Sequence, residues 1–257
     1  MFWRQSNLAV QHRVPLPLSN STAAKQMRLA VILAILAREL DKHIFQPIYI
    51  ILRDTQIREA LTTLAASDSE KEPFCRSILL SIDPEAQNKA LRSRVQVVIR
   101  NVLSSHLQEI LPETHLTGLR QSLEKVVQKA AEVWQLIQRA KRRYEPDLEP
   151  LKWGDDEWSP LIFPGTDSGG SQISQKASGE SLLTVFPSIA AVGGGKRIPL
   201  TYVVQLRRSQ TQCVKAEQEI GQASGPPTIG RMASNRARRR SNAASNTNNA
   251  NGLKPDQ

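Results

Sequence analysis

The stretch LTGLRQSLEKVVQKAAEVWQLIQRAKRRY, residues 116–144, carries the most regular pattern in the chain. Its apolar residues recur at alternating spacings of three and four, a heptad repeat that predicts one long helix. The repeat consists of Leu116, Leu119, Leu123, Val126, Ala130, Val133, Ile137, Ala140 and Tyr144. Val127, Trp134 and Leu136 broaden the apolar face, which favours packing inside an antiparallel bundle, with a dimer through this helix as the alternative.

Helical periodicity continues upstream of this stretch. Leu29, Leu33, Leu36 and Leu40 define one face of a helix that begins near Thr22 and ends before Pro47. A short helix is predicted over 55–66, and another begins near Glu72. The latter is expected to turn Phe74, Ile78 and Leu79 toward the core, with Cys75 beside them. Asp83-Pro84-Glu85 has the residue types of a helix start, so a fourth helix is predicted from there to about Leu111.

These helices predict an all-α fold: an antiparallel helical bundle whose last helix is long and heptad-patterned, followed by a largely disordered C-terminal region. The glycine distribution agrees, because only Gly118 of 13 glycines precedes residue 154. We therefore divide the chain into a disordered leader (1–21), a helical bundle domain (22–146), an acidic and then mixed segment that is partly docked or extended (147–220), and a basic disordered tail (221–257).

Two apolar islands lie within the C-terminal half. Leu182–Val192 and Ile198–Leu206 flank Gly193-Gly-Gly195 and form either a hairpin or two extended segments. The triple glycine precedes Lys196, but the spacing excludes a phosphate-binding loop, because Ala190 and Arg197 stand where that motif needs glycine and a hydroxyl residue. The sequence predicts no nucleotide site here.

The pattern of reactive residues argues against catalysis. The four histidines lack the close spacing of helix-borne metal ligands, and two cysteines are too few for a disulfide framework or a four-thiolate zinc site. Cys75 is expected to be a buried structural thiol. We predict no catalytic, cofactor-binding or metal-binding residue, and no small-molecule ligand.

An acidic, aromatic segment follows the helices. Trp153 and Trp158 enclose Gly-Asp-Asp-Glu, and Phe163 follows shortly after. Tryptophan gains free energy from burial, so we expect these residues either to dock on the chain's own bundle or to bind a partner protein. They are the candidate partner-binding residues.

The arginine-rich tail is the sharpest local signal. Five arginines lie within ten residues: Arg231, Arg236, Arg238, Arg239 and Arg240. The last four are candidates for nuclear import or for phosphate contacts with nucleic acid, and a tail without either role is the third alternative. We predict a nuclear or cytoplasmic location, with the nucleus favoured and the mitochondrion a minor alternative. No stretch approaches the roughly 20 apolar residues that span a bilayer, so no membrane association is predicted.

Several segments together are similar to one family. LARELDKHIFQPIYI (36–50), EPFCRSILLSIDPEAQ (72–87), AAEVWQLIQRAKRRYEP (130–146), FPSI (186–189) and LRRSQT (206–211) resemble a family of helical proteins of filamentous fungi. That family is loosely labelled Mei5-like, after a meiotic recombination accessory factor. The resemblance implies a helical architecture and no catalytic residues.

The sequence favours a non-catalytic protein-interaction or scaffold module, which binds a protein partner or a second copy of itself through the helical domain. The first alternative is a nucleic-acid-associated accessory factor that uses the arginine tail. An enzyme whose site is assembled from scattered residues is the second alternative.

Overall fold

The computed structural model describes residues 14–49, 54–104, 113–148, 158–164, 180–193 and 196–223. These residues form helices and strands together, so the all-α prediction was wrong: the fold is mixed α/β. The helices are α1 (Thr22–His43), α2 (Asp54–Ser67), α3 (Lys71–Ser81), α4 (Pro84–Ser104), α5 (Glu113–Gln138) and α6 (Thr211–Ala223). The strands are β1 (Arg143–Asp147), β2 (Trp158–Pro160), β3 (Ser181–Phe186), β4 (Ser188–Gly193), β5 (Lys196–Pro199) and β6 (Val203–Arg207).

A bent antiparallel ribbon organises the strands. One arm consists of β3 and β4, the other of β5 and β6; β4 pairs with β5, and β3 pairs with β6. Pro187 interrupts the first arm, because proline has no N–H to donate to a ladder. At the bend, the backbone N–H of Leu200 donates to the carbonyl of Ile189 at 2.8 Å, and Ile189 N–H donates to Thr201 Oγ1 at 2.8 Å. The two apolar islands are therefore one hairpin that bends in the middle.

Each half of the ribbon gains a third strand, which gives two separate sheets. β1 pairs antiparallel with β4, in the order β1-β4-β5, and β2 pairs parallel with β6, in the order β2-β6-β3. The predicted last helix ends at Gln138 rather than continuing through Tyr144, and the chain enters β1 at Arg143. Pro146 is compatible with β1 because β1 is an edge strand, where one side needs no ladder donor.

Helix α1 belongs to two cores. Met27, Ala30 and Val31 in its first half pack with Leu183 and Leu206 of the β3–β6 sheet. The second half packs against α4 and α5 in another cluster. This double burial explains why the sequence of α1 is apolar on more than one face. Ser21 caps its first turn, since Ser21 Oγ accepts from the N–H of Ala24 at 3.0 Å.

Helices α4 and α5 form the second core, and α4 packs through the residues that its periodicity predicts. Val95, Val98 and Val102 of α4 face Val127 and Trp134 of α5 within this cluster. The Trp134 ring lies 4.8 Å from the ring of Phe45, measured between centroids. Its indole Nε1 donates to the carbonyl of Gln46 at 2.9 Å, which satisfies the polar atom of this buried side chain. This core fixes the C-terminal end of α5 and thereby the start of β1.

Candidate functional site

Four charged residues are buried together where α3, α5 and β1 meet. Glu72, Arg76, Arg143 and Glu145 expose only 1%, 4%, 5% and 7% of their surface. We call them the ionic cluster. Charged side chains are almost never buried unless they are paired. Two positive and two negative charges balance one another here, which meets that condition.

The carboxylate of Glu72 accepts from both arginines. Arg76 forms a bidentate pair with it: Nε donates to Oε1 at 2.8 Å, and Nη2 donates to Oε2 at 3.1 Å. Arg143 Nη1 lies 3.3 Å from the same Oε1. Bidentate guanidinium–carboxylate pairs are stronger and more directional than single ionic contacts. Glu72 therefore joins α3 to β1.

The second carboxylate completes the cluster from β1. Arg143 Nε donates to Glu145 Oε1 at 2.6 Å, and the hydroxyl of Thr62 in α2 donates to the same oxygen at 2.6 Å. Arg143 Nη2 in turn donates to Thr62 Oγ1 at 2.9 Å. Burial raises the pKa of Glu145, but the bond from Thr62 and the charges of Arg143 and Arg197 outweigh it and leave the pKa below its ordinary value.

Arg76 also caps the end of α5. Its guanidinium donates to the carbonyl of Gln138 and, at 2.9 Å, to the carbonyl of Ala140. The last carbonyls of a helix have no intrahelical partner, and a cation there also complements the helix dipole. The ionic cluster thus fastens the α5–β1 turn to α2 and α3.

Helix α3 is consequently inverted. Its buried side chains are Glu72 and Arg76, whereas Phe74, Ile78 and Ile82 are 67%, 47% and 62% exposed. The prediction that Phe74 and Ile78 face the core was wrong, because the inward face is occupied by the ionic cluster. The three apolar residues are spaced four apart and form one line along the helix, which we call the α3 stripe.

Two cavities flank the ionic cluster. The helical cavity, about 450 Å³, lies between α3, the first turn of α4 and the end of α5; Arg76, Ser77, Asn88, Gln135, Arg139 and Lys141 line it. The ribbon cavity, about 420 Å³, lies between the α2–α3 turn and the adjoining ends of β4 and β5; Ser69, Glu72, Lys141, Arg142, Gly193 and Lys196 line it. Lys141 borders both cavities.

The candidate residues from the sequence lie elsewhere. Trp158 is a buried residue of β2, and the guanidinium carbon of Arg207 lies 3.8 Å from its ring centroid. Phe163 is buried in the core that contains the first half of α1. Trp153 and the tail arginines Arg236, Arg238, Arg239 and Arg240 fall outside the described residues. The structure thus brings Trp158 and Phe163 onto the chain's own core.

The heptad face of α5 is divided between core and solvent. Leu123, Val127 and Trp134 are buried, whereas Val126 and Val133 are 52% and 45% exposed. The buried residues of α5 are therefore offset by about one position from the predicted heptad repeat. The predicted end of the fourth helix near Leu111 lies outside the described residues.

His43 is paired, and Cys213 is buried and unreactive. His43 Nε2 lies 3.4 Å from Glu39 Oε2, and Asn101 donates to that same carboxylate oxygen at 2.6 Å. Burial raises the pKa of the Cys213 thiol to about 12, so it stays protonated and a poor nucleophile. Within the described ranges, no three His, Cys, Asp or Glu side chains gather closely enough to hold a metal ion.

Comparison with known proteins adds no relative. No family model, curated protein or solved structure matches this chain. The resemblance to the fungal helical family therefore stays a prediction. In the part of the chain that the structure describes, every helix is too short or too polar to cross a bilayer.

Proposed function

We propose that this chain is a non-catalytic protein-interaction module, and that the α3 stripe is its contact surface. The observation that carries the proposal is the inversion of α3: three large apolar side chains, Phe74, Ile78 and Ile82, face solvent while charged residues fill the inward face. Contiguous exposed apolar groups, as distinct from scattered ones, are typical of interaction sites.

The energetic asymmetry of α3 supports this interpretation. Burying Glu72 and Arg76 costs desolvation free energy that an apolar pair in the same place would not incur. The opposite orientation would instead bury Phe74 and Ile78. The observed orientation leaves Phe74 67% exposed. The free energy of burying these apolar side chains is therefore gained only when another surface covers the stripe. The occupant we propose is a protein surface with an apolar groove that accepts residues spaced four apart on a helix.

The buried charges support a non-catalytic role. Each member of the ionic cluster is committed to a partner within it or to a helix-terminal carbonyl. Groups used in this way stabilise the fold and are not free to donate or accept a proton from a substrate. Nuclear location and nucleic-acid association through the arginine tail remain predictions from the sequence.

A photo-crosslinking experiment tests the proposal in cells. A benzophenone amino acid would replace Ile78 in the full chain and, as the matched control, Ile162, which is 77% exposed outside the stripe. We expect discrete crosslinked protein species from position 78 that disappear when Phe74→Ser is added, and none from position 162. Equal crosslinking at both positions would overturn the proposal.

Sedimentation velocity identifies one particular occupant. A dimer of the purified chain that dissociates on Phe74→Ser and persists with Leu18→Ser, an exposed apolar residue elsewhere, would make the occupant a second copy. A monomer that keeps its crosslinks at position 78 would make it a different protein. A monomer without crosslinks at position 78 would contradict the proposal.

A further inference from the structure

The helical cavity has the chemistry of a small-anion site. Its lining holds seven amide or hydroxyl side chains, contributed by Tyr49, Ser77, Ser81, Gln87, Asn88, Gln135 and Gln138, and the Tyr49 hydroxyl is already committed to the carbonyl of Ile44. Three cationic side chains join them, Arg76, Arg139 and Lys141, and none of the described residues that line it is Asp or Glu. Its volume of about 450 Å³ lies in the range of small-molecule pockets, about 300–1,000 Å³.

Two of the three cations are available. The charge of Arg76 is neutralised by Glu72, and its N–H groups donate to that carboxylate and to the end of α5. Arg139 and Lys141 are exposed, and neither has an ion pair with another residue in the described ranges. They follow one another around the turn after α5, so both border the same opening. The described side chains at this end of the cavity carry a net charge of about +2.

Of the helix ends that line the cavity, the start of α4 favours an anion, whereas the C-terminal ends of α3 and α5 do not. The first turn of α4 lines the cavity through Pro84, Gln87 and Asn88, and the start of a helix carries partial positive charge. Asp83 caps that helix by accepting from Ala86 N–H at 2.8 Å, so part of that charge is already compensated. The positive charge of Arg76 compensates the partial negative charge at the end of α5, because Arg76 donates to the carbonyls of Gln138 and Ala140.

The polar walls offer donors for the rest of a ligand. Gln87 and Gln138 are committed, to Tyr49 N–H and to the carbonyl of Gln46. Gln135 Nε2 donates to Asn88 Oδ1 at 3.1 Å, which turns the Asn88 amide group so that its Nδ2 donors remain. Ser77 also lines the cavity, from α3.

We propose that the helical cavity binds a small phosphomonoester with a hydroxylated body. Arg139 and Lys141 would contact the phosphate, while Ser77, Asn88 and Gln135 would contact the body. A phosphomonoester carries a charge of about −1.5 to −2 near pH 7, which matches two free cations better than a single carboxylate does. The ligand class goes beyond the protein-interaction role and revises the expectation that no small molecule binds.

Calorimetric titration of the full chain tests the proposal with three probes: glucose 6-phosphate, inorganic phosphate and glucose. We expect glucose 6-phosphate to bind most tightly and glucose not to bind. Arg139→Gln and Lys141→Gln should each raise the Kd for glucose 6-phosphate about tenfold, since each removes one charge-assisted contact. Arg142→Gln is the matched control, because Arg142 is a neighbouring exposed cation that lines the ribbon cavity and not the helical one.

Two further measurements separate the parts of the site. Ser77→Val should weaken glucose 6-phosphate several-fold and leave inorganic phosphate unchanged. Binding should weaken as the pH falls below about 6, where the phosphate loses its second charge. The proposal is overturned if no probe binds at millimolar concentration, if glucose binds as tightly as its phosphate, or if Arg142→Gln weakens binding as much as Lys141→Gln. The last outcome would indicate a general polyanion surface.

Discussion

Glu72 and Arg143 lie 71 residues apart in the sequence, yet Glu72 Oε1 and Arg143 Nη1 are 3.3 Å apart, and both side chains are buried. This contact links the first turn of a helix to the first residue of an edge strand. Around it, Arg76 and Glu145 complete a balanced set of charges that holds α2, α3 and the α5–β1 turn together. Removing one member of this set would therefore leave an uncompensated buried charge.

The first prediction concerns Glu72. Replacing it by Gln should lower the free energy of unfolding by about 3–5 kcal/mol, because Arg76 and Arg143 would be left buried with one carboxylate fewer. Urea unfolding monitored by circular dichroism measures the change. Glu70→Gln, an exposed neighbour on the same turn, is the control and should shift the free energy by less than about 0.5 kcal/mol. Equal losses in the two variants would show that the buried pairing contributes nothing.

The second prediction concerns acid. The folded-state pKa of Glu145 is lowered, so its contribution to stability is present above its unfolded pKa and is lost as the pH falls through the folded value. Burial has the largest effect on the pKa of Asp41 and raises it. Asp41 therefore changes stability with pH in the opposite direction to Glu145. Comparing wild type with Glu145→Gln isolates the Glu145 contribution.

The measurement is urea unfolding at several pH values from about 3 to 6, near the ordinary glutamate pKa of about 4.3. We expect stability to fall more steeply toward acid in wild type than in Glu145→Gln, even though the variant is less stable throughout. Parallel stability curves would mean that Glu145 titrates alike in the folded and unfolded chain.

The third prediction concerns the two thiols. Cys213 is fully buried, its Sγ lies 3.8 Å from Met27 Sδ, and burial raises its pKa to about 12. Cys75 is partly exposed, so the prediction that it is a buried thiol was wrong. A thiol reagent near pH 8 should therefore modify Cys75 in the folded protein and Cys213 only after denaturation, since the thiolate is the reactive form. Cys75→Ala should abolish the fast phase; a fast phase that survives this substitution would place an accessible thiolate at Cys213.

The helices of the second core could be predicted from the sequence because their apolar residues recur with helical period. Val95, Val98 and Val102 face inward as that spacing indicates. The cap at Asp83 could be predicted for a similarly local reason, because a helix start is specified by adjacent residues. Such features depend on neighbours within one or two turns.

The strands and the ionic cluster depend on partners far along the chain. In β1 the inward positions of the alternation are held by Arg143 and Glu145, so a search for alternating apolar residues passes over this strand. In α3 the polarity of the residues predicts the wrong buried face, because Phe74 is exposed and Glu72 is buried. The available signal was the i, i+4 pair of Glu72 and Arg76 together with the i, i+2 pair of Arg143 and Glu145. The residues around each pair do not predict that the two pairs come into contact. The positions of the two cavities depend on that contact.

The last prediction tests the inversion of α3 with two isoleucines. Ile78 in α3 is 47% exposed, whereas Ile99 in α4 is 1% exposed. Ile78→Ala should change the free energy of unfolding of the isolated chain by less than about 0.5 kcal/mol, as surface substitutions do. Ile99→Ala should cost about 2–5 kcal/mol, because it leaves a cavity in the second core. Both values come from urea titrations of variants that differ from wild type by the same three carbon atoms. A loss at Ile78 as large as that at Ile99 would mean that Ile78 is buried in solution, either within the fold or by a second copy. Repeating the titration across protein concentrations would distinguish these cases, because only burial by a second copy makes the midpoint depend on concentration.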